Sequence, residues 1–313
     1  MRVLFWGTPD FAAPPLRALL GEGFEVCGVV TQPDKPQGRS RTVTPPPIKQ
    51  IALLENIPFF QPRTPRDPEF MQMLEIMRPD ISIVVAYGHI LPKSVIDLPR
   101  FGTLNIHASL LPLLRGAAPI QAAIRQGFTE TGVSIMRMVP ALDAGPVILQ
   151  SRTPILDDET YGELRARLSE LGALALIEAL ALISLREIRE QPQNDALATY
   201  APKVTRETVR VDWTLSAGDV VNAIRAYDPT PGAFTTLRGT DVKLFGAKRT
   251  DGNGTPGTVL DAGNRLVVAC GEGAVTIEDV QPAGKRLMPA ADWLRGRGVA
   301  PGNVLGDPLG VTG

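Results

Sequence analysis

Ile81-Ser82-Ile83-Val84-Val85-Ala86-Tyr87-Gly88 is the stretch that decides the fold. An uncharged, mostly β-branched run that stops at a glycine reads as a short buried strand. Outward from it, runs of the same kind recur with helical patterns between them. Upstream, residues 3–6 form a strand ended by Gly7-Thr8-Pro9-Asp10. A helix over 11–20, a strand over 24–31, a helix over 48–55 and a short strand at 59–61 follow. Downstream, 103–107 and 132–138 read as strands and 119–126 as a helix. Strands alternating with helices predict an α/β fold, a Rossmann-like doubly wound sheet that is mostly parallel. Sites in such sheets gather beyond the carboxyl ends of strands. Tyr87-Gly88, Asn105 to His107 and Pro140 to Gly145 all follow strands in that sense.

The rhythm changes in the second half. A long helix is expected over 160–188, then the polar, proline-containing Gln191-Pro192-Gln193-Asn194-Asp195. Beyond about residue 205, one helix near 217–226 precedes short apolar stretches at 234–237, 242–245, 258–260, 265–269 and 274–277. Short strands at this spacing predict a small OB-like β-barrel. The expected division is a catalytic domain over 1–189, a linker over 190–206 and a barrel domain over 207–313.

Bulk composition narrows the function. The 313 residues allow one or two domains and a large core. With 32 basic and 33 acidic residues, 12 of each from Arg206 onward, neither half is a polyanion binder by net charge. Any nucleic-acid surface must be a local patch. Cys27 and Cys270 are expected as buried, reduced thiols. The apolar start is too short for a signal-peptide core, and no stretch reads as long enough for a membrane span. The expected location is the cytoplasm.

Only two histidines occur, and His107 lies two residues after Asn105. In a strand, such a pair shares a face. An amide donor and an imidazole then point together at a strand end, where they can polarise a carbonyl and move a proton. Asp143, in Leu142-Asp143-Ala144-Gly145-Pro146, reads either as an ordinary turn aspartate or as a carboxylate that orients the imidazole and favours its charge. Ser109 is the one nearby hydroxyl, but no Gly-x-Ser-x-Gly elbow surrounds it. Covalent catalysis and a metal site are both disfavoured. Gly7-Thr8-Pro9-Asp10-Phe11 is neither a dinucleotide fingerprint nor a phosphate loop. The segment from Gln32 to Pro47 is long for a strand–helix turn. It reads as a surface loop or as an arm carrying Lys35, Arg39 and Arg41 to phosphates.

Asn105-Ile106-His107-Ala108-Ser109-Leu110-Leu111-Pro112, then Arg115-Gly116-Ala117-Ala118-Pro119-Ile120 and Leu142-Asp143-Ala144-Gly145, resemble the formyltransferase family that uses 10-formyltetrahydrofolate. Gly7-Thr8-Pro9-Asp10-Phe11-Ala12, Thr31-Gln32-Pro33-Asp34, Ala86-Tyr87-Gly88 with Ile90-Leu91-Pro92, and Gln281-Pro282-Ala283-Gly284-Lys285 fit it too, so the resemblance spans nearly the whole chain. The basic loop and the C-terminal part are similar to the branch acting on initiator methionyl-tRNA.

The resemblance implies that Asn105, His107 and Asp143 are catalytic. It implies that Ser109, Leu110, Leu111 and Pro112, with main chain around Gly88, Ile90 and Leu91 and the loop from Val139 to Asp143, hold the folate. Lys35, Arg39 and Arg41 would meet the tRNA acceptor arm, and the barrel would add backbone contacts. The formyl donor would be 10-formyltetrahydrofolate, with no metal and no membrane, and the expected state is a monomer. The amine would attack the formyl carbon directly, with Asn105, and His107 if protonated, donating to the developing oxyanion. Rival readings keep the same three residues for an amino-sugar nucleotide or for water as acceptor. A non-catalytic RNA-binding protein is the remaining one.

Overall fold

In the computed structural model the strand at Ile81–Val85 is buried at every residue. The structure describes residues 1–37, 42–296 and 298–306. Two compact units divide the chain: one takes 1–116, 131–153 and 165–201, the other 117–130, 154–164 and 202–313.

In chain order the elements through the first unit are β1 (Arg2–Gly7), α1 (Ala13–Gly21), β2 (Glu25–Val30), β3 (Lys35–Gln37), β4 (Thr42–Thr44), α2 (Pro47–Leu54), β5 (Phe59–Phe60), α3 (Pro68–Met77), β6 (Ile81–Val85), α4 (Lys93–Ile96), β7 (Thr103–His107), β8 (Arg115–Gly116), α5 (Pro119–Arg125, within the second unit), β9 (Glu130–Arg137), β10 (Val147–Pro154), α6 (Tyr161–Leu185) and β11 (Tyr200–Ala201). Seven strands form one sheet in the order β10-β9-β7-β6-β1-β2-β5. Trp6, Val84, Asn105 and Met136 lie side by side across its centre. The chain moves outward from β1 to β2 and β5, then crosses back to β6 and β7. The reversal of order falls between β1 and β6, where strand ends open a crevice.

The pairs from β5 through β7 are parallel, as expected. β9 runs antiparallel to β7, pairing Leu104 with Arg137. The carboxyl end of β9 therefore lies beside the amino end of β7. Residues 138–146 reach the site by folding back, not by emerging at the common carboxyl edge that alternation suggested.

The core explains the local choices. Leu4, Trp6, Val30, Phe70, Leu74, Val84, Tyr87 and Leu91 form one buried cluster. α3, which has no strong sequence signature, contributes only Phe70 and Leu74 as buried residues, four apart. Its start is fixed by Asp67, whose carboxylate accepts from the Glu69 and Phe70 amides, a cap worth about 1 kcal/mol. The long helix α6 does contain a stretch apolar and long enough to cross a membrane, contrary to the sequence reading, and half of that stretch is buried inside the protein. Leu168, Leu176, Ala179 and Leu180 are among its buried residues, the pattern of a core helix. Cys27 is only half-buried and its thiol meets the Val3 carbonyl, while Cys270 is buried; both are free thiols.

The second unit continues with α7 (Ala217–Arg225), β12 (Ala233–Leu237), β13 (Thr240–Thr250), β14 (Val259–Asp261), β15 (Leu266–Ala269), β16 (Ala274–Pro282), β17 (Met288–Pro289) and α8 (Ala290–Arg295). Its strands run in the order β12-β13-β16-β15-β14, with β17 on β16, and every pair is antiparallel. The result is a curled half-barrel. Gly246, at φ +63°, lies inside β13, whose register with β16 is the same on both sides of it, Phe245 opposite Asp279 and Ala247 opposite Ile277.

Candidate active site

Period-two alternation in β7 sorts structure from chemistry. Ile106 faces α6 so closely that a Cβ on Gly172 would lie 3.0 Å from Ile106 Cγ2. Asn105 and His107 therefore point to the opposite face. Asn105 is half-buried, and among the described residues its side-chain amide has no hydrogen-bond partner. It is free to donate to a bound oxygen.

His107 is buried, 5% exposed. Its Nε2 lies 3.0 Å from the Leu114 carbonyl oxygen. A carbonyl only accepts, so Nε2 carries the hydrogen and Nδ1 of the neutral ring holds a lone pair. Nδ1 faces Asp143 Oδ2 at 3.7 Å, beyond hydrogen-bond reach. That carboxylate oxygen instead accepts from the Gly116 amide at 2.8 Å. Burial pushes the imidazole pKa below its ordinary value; the Asp143 charge and the Leu114 carbonyl oppose this without reversing it. The sequence leaves the charge of His107 open, and burial favours the neutral ring. The resting ring is neutral, with a base poised beside a carboxylate.

The loop after β7 is fastened by its own hydroxyls. Ser109 Oγ donates to the Leu113 carbonyl at 2.6 Å. Ser134 Oγ donates to the Ser109 carbonyl and accepts from the Leu111 amide. Gln150 Nε2 donates to the Leu111 carbonyl and to Ser134 Oγ. Ser109 is therefore engaged as a structural donor rather than aimed as a nucleophile. Leu111 is buried against Met136 and Val147, and Leu110 and Pro112 are half-buried.

The end of β6 forms the facing edge. Ala86 and Gly88 take positive φ, +48° and +92°. A Cβ added to Gly88 would meet nothing within 4 Å, so open space lies beside that main chain. Ile90 is exposed, whereas Leu91 packs into the core and offers a ligand only its backbone. Thr8 Oγ1 ties the strand ends, donating to the Tyr87 carbonyl and accepting from the Gln32 amide. A planar heterocycle with donor and acceptor edges fits such an open edge of backbone polar groups.

The described parts of the basic segment include two short paired strands. β3 pairs with β4, Lys35 opposite Thr44. Its base is pinned where Asp34 accepts from Lys49 and Gln61, each at 2.7 Å. The Lys49 ammonium, first among its partners, holds the Asp34 carboxyl below its usual range. Lys35 is exposed; Arg39 and Arg41 lie outside the described residues. Among the described residues no cluster of three or more His, Cys, Asp or Glu is placed to hold a metal.

Two contributors escaped the sequence reading. Leu114 acts through its backbone carbonyl, which no residue type announces, as does the Gly116 amide within the quoted Arg115-Gly116 motif. Gln193 sits in a stretch read as a linker, and its amide reaches the Asp143 loop. Arg115 did stand inside a quoted motif, and its side chain is buried.

Known proteins bear on this geometry. Residues 1–180 match the formyl transferase family model, and residues 203–298 match that of the formyl transferase C-terminal domain. A methionyl-tRNA formyltransferase of Moorella thermoacetica is 45% identical over 309 residues, covering 98% of this chain and 99% of that protein. Among solved structures, HypX of Aquifex aeolicus in complex with tetrahydrofolic acid superposes with a TM-score of 0.65 at 22% identity, covering 94% of this chain and 47% of that one. An N-formyltransferase of Helicobacter canadensis, in complex with folinic acid and dTDP-3-aminofucose, gives 0.68 at 15% identity, covering 90% and 98%. These two likenesses are likenesses of fold.

Proposed function

The chain belongs to the formyl transferase family, and from that membership we propose that it moves the formyl group of 10-formyltetrahydrofolate onto the amino group of methionyl-initiator tRNA. The product is N-formylmethionyl-tRNA. The observation that carries the chemistry is the fixed tautomer of His107: Nε2–H spent on Leu114, the Nδ1 lone pair turned toward Asp143. The tRNA acceptor is supported by the match over both domains to a methionyl-tRNA formyltransferase.

The amine attacks the formyl carbon, and charge builds on the formyl oxygen. Asn105 donates to that oxygen, a contribution typically worth about 100- to 1,000-fold in rate. Nδ1 of His107 and Oδ2 of Asp143 present two acceptors to one point, and the proton of the attacking amine goes to that pair. The imidazolium so formed rests between the Leu114 carbonyl and the Asp143 carboxylate. It returns the proton to the departing folate nitrogen as the carbon–nitrogen bond breaks. No acyl-enzyme is formed. The folate is placed along the loop from Ser109 to Pro112 and the main chain at Gly88 to Leu91, whose open edge suits the pterin.

Lys35, Arg39 and Arg41 are assigned to the acceptor arm, where a charge-neutral chain needs a local basic patch. The domain division at 1–189, 190–206 and 207–313 belongs to the same reading, with the half-barrel touching tRNA backbone. A charged tRNA is met where translation runs, which places the enzyme in the cytoplasm. The test is an assay with 10-formyltetrahydrofolate and, separately, charged initiator tRNA, charged elongator tRNA, an amino-sugar nucleotide, or water. Formylation of the initiator tRNA alone is expected. Preferred use of the sugar or of water would refute the acceptor.

A further inference from the structure

We propose that Gln193 is a positioning residue for the reaction, holding the Asp143 loop against His107. Its Nε2 donates to the carbonyls of Asp143 and Gly145, at 2.8 and 2.7 Å. Its Oε1 accepts from Arg115 Nε and Nη2, at 3.1 and 2.8 Å. The amide orientation follows from chemistry, because two carbonyls can only accept and a guanidinium can only donate. Arg115 is itself 3% exposed and also pairs with Asp195. The neighbouring Gly116 amide holds the Asp143 carboxylate. Asp143 is thus gripped at its side chain by Gly116 and at its main chain by Gln193.

The same segment grips the other partner of His107. Thr199 Oγ1 accepts from the Leu114 amide at 2.9 Å, and the Thr199 carbonyl accepts from the Arg115 amide at 2.9 Å. β11 then pairs with β8. Leu114, whose carbonyl fixes the imidazole, and Asp143, whose carboxylate faces it, are both held by residues 193–201. Asp143 sits at φ +47°, a left-handed conformation uncommon for non-glycine residues though less so for aspartate. Gln193 anchors its carbonyl there, so the stretch after α6 is part of the catalytic architecture.

This inference rests on the formyl-transfer reading, and one experiment separates the two. Wild type, Gln193→Leu and Gln193→Glu are assayed for formyl transfer, each alone and combined with Asp143→Asn. Leucine keeps the bulk and removes every hydrogen bond. Glutamate keeps the acceptor for Arg115 but offers the two carbonyls no donor. A misplaced reacting group costs on the order of 100-fold, so kcat is expected to fall about that far in both variants. KM for each substrate should stay within about twofold, as for an interaction felt only in the transition state. On the Asp143→Asn background, either substitution should cost less than about threefold more, because both act through one group. A native Tm with kcat unchanged, or a full loss repeated on the Asp143→Asn background, would overturn the proposal. Should Gln193→Leu fail to fold, Gln193→Glu decides by the same two numbers. An inactive wild type would instead refute the formyl-transfer reading.

Discussion

His107 stands 3.7 Å from Asp143 without a hydrogen bond between them, while its far nitrogen is fixed on the Leu114 carbonyl. The carboxylate raises the basicity of Nδ1, and burial lowers it more. The pKa of His107 therefore lies below the ordinary value of about 6.5. Above that value the ring is neutral in folded and unfolded chains alike and contributes nothing to pH dependence. As pH falls below it, the unfolded chain takes up the proton first, and stability is lost down to the depressed folded value. In nitrogen-detected NMR, one of the two histidines should stay neutral through pH 6.5, with Nε2 protonated, and should vanish in His107→Asn. That variant should also lose less Tm between pH 7.5 and 5.5 than wild type. A His107 signal that titrates at or above the ordinary value would contradict the neutral ring.

Among the described residues the Asn105 amide, on the face shared with His107, has no partner, so it acts when an oxygen is bound. Asn105→Ala should cut kcat by about 100- to 1,000-fold, the typical worth of one oxyanion donor. Asp143→Ala should cost roughly 100-fold or more, as loss of general acid–base help does. Affinity for tRNA should hardly change, since neither residue lies in the basic patch. Turnover within a few-fold of wild type, in single-turnover formylation, would remove either residue from the mechanism.

Ser109 separates direct transfer from covalent catalysis. Its hydroxyl is spent on the Leu113 carbonyl. Ser109→Ala should lower stability by about 1 kcal/mol, the usual worth of one hydrogen bond. At saturating substrate, kcat should stay within roughly tenfold of wild type. A nucleophile would show the reverse, with Tm kept and turnover abolished. A formyl group trapped on the protein and seen by mass spectrometry would also defeat direct transfer.

The sequence made β1, β2, β6 and β7 legible as short, mostly apolar stretches, and parts of β12 to β16 the same way, while β17 carried no such signal. It made Asn105 and His107 legible because polar residues at period two inside such a run have no packing reason. β10 was missed, as half of its length is polar and partly exposed. The reversed direction of β9 was missed because strand direction is set by crossovers rather than by composition. The charge state of His107 stays open in the sequence for a related reason. The carboxylate could be named from the chain, whereas the depth of burial that outweighs it belongs to the assembled fold. Gln193 had no signal at all, since a glutamine beside a proline reads as linker.

Arg39 and Arg41 carry the acceptor assignment. Arg39→Ala with Arg41→Ala should weaken use of charged tRNA and flatten the dependence of log kcat/KM on log salt by up to about 2, near one per lost phosphate contact. Turnover at saturating tRNA should be kept, because the catalytic residues lie elsewhere in the chain. A steady-state salt series on both proteins measures this. An unchanged slope would detach the segment from phosphate.

Gly145 tests whether the Asp143 loop must be where it is. A Cβ on Gly145 would lie 1.8 Å from the Arg137 carbonyl oxygen, so alanine cannot enter without moving backbone. The Gly145 carbonyl is also one of the two held by Gln193, so displacement there pulls the loop that ends in Asp143. Gly21, the last residue of α1, is the matched control: its Cβ would meet nothing within 4 Å. Gly21→Ala should leave activity unchanged and raise stability by up to about 1 kcal/mol. Gly145→Ala should lose about 100-fold in kcat, the cost of a displaced catalytic group, beyond any fall in Tm. Thermal melts and initial rates on the two variants decide it, and a Gly145→Ala enzyme with native kcat would show that the loop tolerates displacement.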